Sequence, residues 1–367
     1  MASGLVLAFA ALLVVAGAVN PGQAVETTFE TITYASSADG TPGLLANIAL
    51  VADGKPKPLL LVMHGYGGDK KNVEADVKEF AAKGVVAVGP DMRGTGGSKG
   101  VWDSGGKDVH DILDAALAAL EKYPKEIDAK NLNVVGYSGG GGNAIACAVR
   151  FPDLFQSCSS FFGISDYAAW HASKGRPDCN SRMESALGGP PDKKPELYDA
   201  RNANAAAANA QAAKLHFFWD ELETACPPAM LETFLENHKK AGLANAARHV
   251  SKAGDPLRYK HGYRAGNKGL TSADDLFMPD VLAPKKASPA LPKRGKLAVP
   301  GYLVTRHFTV WIGNAKAKDL QEAQKGAVLG QVTIEYDVNG AQPVLKVADN
   351  PKGYKVFFGA SPLAKLP

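Results

Sequence analysis

The stretch Val134-Val135-Gly136-Tyr137-Ser138-Gly139-Gly140-Gly141-Gly142-Asn143-Ala144 constrains this chain more than any other. Leu132 to Val135 is the apolar run of a buried strand, and Asn143 to Val149 opens as a helix. Between them sits a Gly-x-Ser-x-Gly pentapeptide. A serine at so sharp a turn has a strained backbone that only small neighbours tolerate, and Gly136 and Gly140 let strand and helix approach closely. The turn lifts the Ser138 hydroxyl clear of the sheet. With 39 glycines in the chain the pentapeptide alone arises easily by chance, so its meaning comes from the strand before it and the helix after it.

A chain of 367 residues suits one large domain plus a small one. Its 46% apolar and 21% charged residues exclude wholesale disorder. Leu5 to Val19 is an unbroken apolar run, short for a membrane span and followed by small residues, which reads as a secretory signal peptide over residues 1–24. An uncleaved anchor is the competing reading, because the first residues carry no Lys or Arg. No other segment is apolar enough to cross a bilayer. The expectation is an exported protein, secreted or periplasmic. In that compartment four cysteines can pair, and the loop residues Cys179 and Cys226 are the expected bridge, with Cys147 and Cys158 as buried thiols.

The net charge of +4 is unevenly spread. Residues 283–367 hold 13 Lys/Arg against 5 Asp/Glu, leaving residues 1–282 net acidic. The excess begins in the Pro/Lys/Ala-rich residues 283–299, which read as a stiff, solvated linker. This charge would give residues 283–367 a weak attraction to a polysaccharide or cell envelope, and a soluble spacer is the expected role of the linker. No nucleic-acid motif, metal-ligand spacing or cofactor fingerprint occurs.

Strand patterns fall at Phe29–Tyr34, Leu44–Val51, Leu59–Met63, Val85–Gly89, Leu132–Val135, Ser157–Phe162, Leu215–Trp219 and Ala246–Lys252. Helical patterns at Val73–Lys83, Val109–Leu120 and Ala229–Ala241 alternate with them, which implies βαβ units and a mostly parallel, eight-stranded α/β sheet. Ser165 to Ala213 reads as an irregular insertion, with Tyr167, Trp170 and His171 near its start. Beyond the linker, residues 300–367 read as a small β-rich module, with strands at Leu303–Trp311, Val328–Tyr336, Val344–Val347 and Lys355–Phe358. Residues 25–282 are thus the main domain.

A serine hydroxyl is a poor nucleophile at neutral pH and needs a base within hydrogen-bond reach, itself oriented by a third group. The strand, turn and helix around Ser138 resemble the nucleophile elbow of the α/β-hydrolase fold. In that family an acid follows a late strand and a histidine follows the last one. The segment Trp219-Asp220-Glu221-Leu222-Glu223-Thr224-Ala225-Cys226-Pro227-Pro228 resembles the family's acid loop, and matching its Pro-Pro puts Glu223 on the catalytic position. Asp220 remains an alternative, and Asp166 a weaker one. His261, in Tyr259-Lys260-His261-Gly262-Tyr263, resembles the family's histidine loop, whereas His249 lies inside a strand.

The resemblance also implies an oxyanion hole from the backbone N–H groups of Gly139 and of Tyr66, the latter in His64-Gly65-Tyr66-Gly67-Gly68. His64 is expected to shape that loop. Asp91-Met92-Arg93-Gly94-Thr95-Gly96-Gly97-Ser98 resembles the loop after strand four in the prolyl oligopeptidase-like and proline iminopeptidase-like branches, and Phe161-Phe162-Gly163-Ile164-Ser165-Asp166-Tyr167 the turn after strand six in prolyl oligopeptidase-type domains. No lysine follows the first at phosphate-loop spacing. The expectation is a serine hydrolase acting on a small-molecule or polymer-borne carboxylic ester, with Ser138 as nucleophile, His261 as base and Glu223 as orienting acid. The insertion would wall its pocket. A prolyl oligopeptidase-type peptidase is the alternative, and a non-catalytic binding protein on a hydrolase scaffold is the alternative from another class.

Overall fold

The computed structural model describes residues 27–255, 258–259, 261 and 268–367. The expected signal peptide, residues 1–24, lies outside them. Eight strands form one sheet: β1 (Thr27–Tyr34), β2 (Leu44–Val51), β3 (Lys57–Met63), β4 (Val86–Pro90), β5 (Ile127–Tyr137), β6 (Ser157–Phe161), β7 (Lys214–Asp220) and β8 (Ala246–Ser251). Their order across the sheet is β1-β2-β4-β3-β5-β6-β7-β8. β2 pairs antiparallel with both neighbours, and every later pairing is parallel.

The helices of the main domain are α1 (Glu74–Ala82), α2 (Lys107–Lys122), α3 (Gly139–Arg150), α4 (Tyr167–Ser173), α5 (Pro177–Leu187), α6 (Pro195–Asp199), α7 (Ala229–Lys240) and α8 (Lys268–Leu282). Side chains alternate across a strand, and β7 shows the result. Phe218 meets Phe277 of α8, while its neighbour Phe217 meets Phe234 of α7 on the other face. With both faces covered, β3 is apolar from Leu59 onward, and Leu59 to Met63 are fully buried.

From β3 the chain moves outward to β4, then crosses back through α2 to place β5 on the far side of β3. Such a reversal leaves a crevice at the carboxyl ends of the two strands, where open α/β sheets bind ligands. The loops after β3 and β5 carry Tyr66 and Ser138. Register brings them together, since Met63 pairs with Gly136.

The C-terminal strands are β9 (Arg294–Pro300), β10 (Tyr302–Val304), β11 (Thr309–Gly313), β12 (Gln331–Asp337), β13 (Val344–Asp349) and β14 (Lys355–Gly359), with α9 (Leu320–Lys325) after β11. They make two three-stranded antiparallel sheets, β10-β11-β14 and β13-β12-β9. Leu303, Val310 and Ile312 turn inward with Leu297, Val299, Val332 and Ile334 to form a core of their own. The alternate residues Tyr302, Val304 and Trp311 face the other way and are fully buried in the main core. The module is thus one sheet pair whose inner sheet is packed on both faces.

Two expectations change here. Residues 294–299 were assigned to the linker but form most of β9, where Leu297 and Val299 alternate with the polar Arg294 and Lys296. Leu303–Trp311 is a hairpin, closed by a Thr305 N–H that donates to the Phe308 carbonyl, 2.9 Å. On the outer face of β13-β12-β9, Lys296 pairs with Glu335 at 3.1 Å and Arg294 with Asp337 at 3.6 Å, which neutralises part of the module's basic excess.

Candidate active site

Ser138 has φ 56 and ψ −118, a conformation that costs a non-glycine residue about 1–3 kcal/mol. Its N–H donates to the Phe161 carbonyl (2.8 Å), and its own carbonyl accepts from Gly142 N–H (3.0 Å), so strand and helix fix the turn from both sides. The glycines are required by contact. A Cβ on Gly136 would fall 2.0 Å from the Gly140 carbonyl oxygen. Helix α3 therefore begins with four glycines, each about 1 kcal/mol worse than alanine in a helix, and tertiary packing supplies the stability they lack.

A Cβ on Gly139 would fall 2.7 Å from the Tyr66 backbone nitrogen. The N–H groups of Tyr66 and of the residue after the serine thus belong to the same small space. The Tyr66 ring is edge-on to Trp102 (4.9 Å) and Trp170 (5.1 Å), and its hydroxyl bonds to Ser104 Oγ at 2.6 Å. Burial pushes its phenol well above the ordinary range. His64 is buried, with Nδ1 2.9 Å from the Gly65 carbonyl oxygen, a contact that shapes the loop.

Glu223 follows β7 and is almost wholly buried. Its Oε1 accepts the backbone N–H groups of Ala225 (2.6 Å) and Cys226 (3.0 Å). Its Oε2 lies 3.3 Å from His261 Nδ1, close enough for charge pairing though off the line of an ideal hydrogen bond. Burial works to raise the Glu223 pKa, but His261 and the two N–H donors outweigh it and hold the carboxyl below its usual range. The His261 ring packs on Phe162, 5.4 Å between centroids. Cys226, whose N–H Glu223 holds, places its Sγ 3.9 Å from Ser138 Oγ. Serine, histidine and acid loop therefore converge at the crevice.

The other candidates lie elsewhere. Asp220 accepts two hydrogen bonds from Arg258 and one from Ser251 Oγ (2.6 Å), and the Arg258 bonds above all hold its carboxyl down to about 2. Asp166 caps α4 through Ala169 N–H (3.0 Å). His249 stacks on Phe218 and lies 3.2 Å from His216, with burial lowering its pKa to about 4. Arg93 of the glycine-rich loop is buried against Asp111 and Asp39, and Asp91 is buried against Lys70, so those charges are matched internally.

The expected Cys179–Cys226 bridge is absent, as all four cysteines are buried free thiols. The two sulfurs have different partners. Cys226 faces Ser138, while Cys179 Sγ lies 3.7 Å from Asp178 Oδ2. The insertion is largely helical, through α4, α5 and α6. Tyr167 and Trp170 are buried beside Tyr66, and the Trp170 indole N–H donates to the Ala225 carbonyl (2.8 Å), which ties the insertion to the acid loop. His171 instead pairs with Glu184 at 2.6 Å. Sequence reasoning passed over Ser104 and the proximity of Cys226 to the nucleophile. The position of Cys226 just before Pro227-Pro228 was the available signal for the second. Among the described residues no group of His, Cys, Asp or Glu is arranged to hold a metal ion.

Residues 71–251 match the model of the prolyl oligopeptidase family. Over 171 residues the chain is 29% identical to YtmA, an uncharacterized peptidase of Bacillus subtilis (strain 168), an alignment covering 47% of this chain and 64% of that one. The fold is shared with the acylaminoacyl peptidase of Pyrococcus horikoshii (TM-score 0.58, 19% identity, 72% of this chain and 42% of that one). A puromycin-hydrolyzing peptidase of Mycobacterium tuberculosis is similar in the same way (TM-score 0.57, 18% identity, 74% and 42%). The chain thus spans just under two thirds of the curated relative and less than half of these solved structures. Family match, strand order and the serine elbow agree: the chain has the α/β-hydrolase fold, and over residues 71–251 it resembles the prolyl oligopeptidase family.

Proposed function

We propose that this chain is a serine peptidase of the prolyl oligopeptidase type. The observation that carries the reading is the Glu223–His261 pair, 3.3 Å apart, brought to the crevice where Ser138 stands on its strained turn. The match over residues 71–251 to a peptidase family favours an amide over the ester that the sequence alone had favoured.

In this reaction Ser138 Oγ attacks the carbonyl carbon of the scissile peptide bond while its proton passes to His261 Nε2. The negative charge on the tetrahedral oxygen is met by the N–H groups of Gly139 and Tyr66, and losing one such donor costs about 10²–10³ in turnover. The imidazolium then protonates the departing nitrogen, without which an amine cannot leave. Water hydrolyses the acyl-enzyme by the same steps in reverse order. Glu223, ionised across the neutral range, stabilises the imidazolium and fixes its Nδ1–H. The enzyme acts outside the cytoplasm, a reading that rests on the apolar run Leu5–Val19 and that an unprocessed N-terminus in the cytoplasmic fraction would refute.

The test compares a series of acyl-peptide p-nitroanilides with p-nitrophenyl esters on the purified protein and its Ser138→Ala variant. Fluorophosphonate labelling of Ser138 and anilide hydrolysis lost in the variant are expected. Labelling and ester turnover with no cleavage of any anilide or peptide would return the reading to an esterase.

A further inference from the structure

Arg182 lies on α5, in the insertion, and is exposed at the rim of the crevice. Its guanidinium rests on the loop that carries Tyr66. A Cβ built on Gly67 would fall 2.1 Å from Arg182 Nη1 and 2.9 Å from its Cζ, so the contact exists only because residue 67 is a glycine. Gly67 also holds φ +70, where a side chain would be strained. The same guanidinium stands 6.0 Å from the Trp102 ring centroid, the outer limit of a cation–π contact, and Trp102 in turn packs edge-on against Tyr66.

The insertion has two other arginines, and both are matched. Arg176 pairs with Asp178 at 2.6 Å, and Arg201 is buried with bonds to four backbone carbonyls. Arg182 has neither an ion pair nor a hydrogen bond among the described residues. Neither the Gly67 contact nor the nearby Trp102 ring uses the fork of N–H donors. A guanidinium with its donors free binds a planar anion through two parallel hydrogen bonds.

Its position sets the scale. Gly67 directly follows Tyr66, whose N–H we assign to the developing oxyanion, so the guanidinium is within about three residue lengths, ~10 Å of extended chain, of the scissile carbonyl. We propose that Arg182 is a specificity-determining residue that binds a carboxylate of the peptide substrate, one or two residues from the bond that is cut. The inference rests on the peptidase reading and names the substrate class it serves: acidic peptides, or short peptides with a free C-terminus. In the first case the carboxylate is a Glu or Asp side chain on the acyl side. In the second it is the terminal carboxylate of the leaving fragment.

The test has one arm for each source. N-acetyl-Glu and N-acetyl-Gln aminomethylcoumarin amides form the first pair, and one acetyl-tetrapeptide with a free or amidated C-terminus forms the second. Both are assayed with the wild type, Arg182→Gln and Arg182→Lys. Arg182 is exposed, so neither variant removes a buried contact.

A charge-assisted pair predicts that the wild type favours the anionic member of one pair by about tenfold or more in kcat/KM, chiefly through KM. Arg182→Gln abolishes the preference while the neutral member keeps its rate to within about threefold, and Arg182→Lys restores part of the preference. The arm that responds identifies the source of the carboxylate. Turnover with no charge preference in either arm, or an equal loss on neutral and anionic members in Arg182→Gln, overturns this inference and leaves the peptidase reading standing. No cleavage of any of the four substrates, together with no fluorophosphonate labelling of Ser138, overturns both.

Discussion

Replacing Glu223 by glutamine separates the acid that serves the histidine from the acid that serves the fold. Glu223 Oε1 is fixed by two backbone donors, the N–H groups of Ala225 and Cys226. A glutamine must put its oxygen there, because its amide N–H₂ in that place would face two donors and leave all three groups unpaired, at about 1–3 kcal/mol each. The amide nitrogen then takes the place of Oε2, 3.3 Å from His261 Nδ1, and offers a donor where an acceptor stood. The imidazole answers with the opposite tautomer, which carries its proton on Nε2 and cannot accept one from Ser138. A wrong tautomer at a serine triad costs about 10⁴ in kcat, roughly 5 kcal/mol, and a loss of ~10³–10⁴ is expected here. Asp220→Asn is the control. It breaks the bonds to Arg258 and Ser251, so it lowers the midpoint of thermal unfolding but spares the tautomer. The assay is kcat/KM on the best anilide at pH 7.5, with the rate of fluorophosphonate labelling as a measure of nucleophile activation and circular dichroism as a check on folding. A folded Glu223→Gln enzyme within tenfold of wild type, beside an Asp220→Asn enzyme down a thousandfold, would refute the assignment.

Acid should act through the same two carboxyls. Both are depressed in the folded state, so each contributes stability that is fully present above its unfolded pKa, 4.5 for Glu223 and 3.8 for Asp220, and is lost as pH falls through the folded value, about 2 for Asp220. Unfolding midpoints measured from pH 6 to pH 2 should be flat down to about pH 5 and then fall, less steeply in Asp220→Asn. Trp311→Ala removes a fully buried ring stacked on Tyr302 at 4.4 Å and should destabilise the protein by about 3–5 kcal/mol, with one unfolding transition for module and hydrolase core together; two separate transitions would show that the shared core is not cooperative. Burial raises the Cys147, Cys158 and Cys226 thiols above their usual range, so iodoacetamide should modify them only after unfolding, and rapid native labelling of Cys226 would contradict its placement.

Much of this was legible because the sequence repeats one physical unit. Seven of the eight sheet strands begin and end within two residues of their patterns, since runs such as Leu59–Met63 have no role other than burial on both faces; β5 starts five residues before its apolar run. The elbow was legible for the same reason: Gly136, Ser138 and Gly140 satisfy a steric demand that few other residues meet. Choosing between Glu223 and Asp220 was beyond composition, because two carboxylates three residues apart differ only in what lies across from them, Arg258 or His261. Strand β9 hid because its Pro and Lys neighbours give the composition of a solvated linker, while only Leu297 and Val299 mark the buried side. Helix α8 was missed although Ala273, Phe277 and Val281 recur every four residues. Gly269 and Pro279 mask that stripe, and packing on the sheet, through contacts such as Phe277 on Phe218, supplies the stability that propensity does not.

The C-terminal sheets and the oxyanion loop are joined by two arginines that a sequence reading would place on the surface. Arg150, at the end of α3, donates to the carbonyls of Gly105 (2.8 Å), Ala200 (2.5 Å) and Pro300 (3.1 Å). Arg201 donates to those of Asp103 (2.5 Å), Ser104 (2.6 Å) and Val328 (3.1 Å). Both are almost fully buried, and an isolated buried cation is expensive, so each depends on all of its acceptors. Pro300 and Val328 belong to the module, whereas Asp103 to Gly105 belong to the loop in which Ser104, at φ 55, holds the Tyr66 hydroxyl. Removing the module would leave both guanidinium groups short of acceptors beneath that loop and would expose Tyr302 and Trp311 besides. The sheets after residue 293 therefore support the loop that holds Tyr66, whose N–H we propose meets the oxyanion, and the buried core of the main sheet is not complete without them.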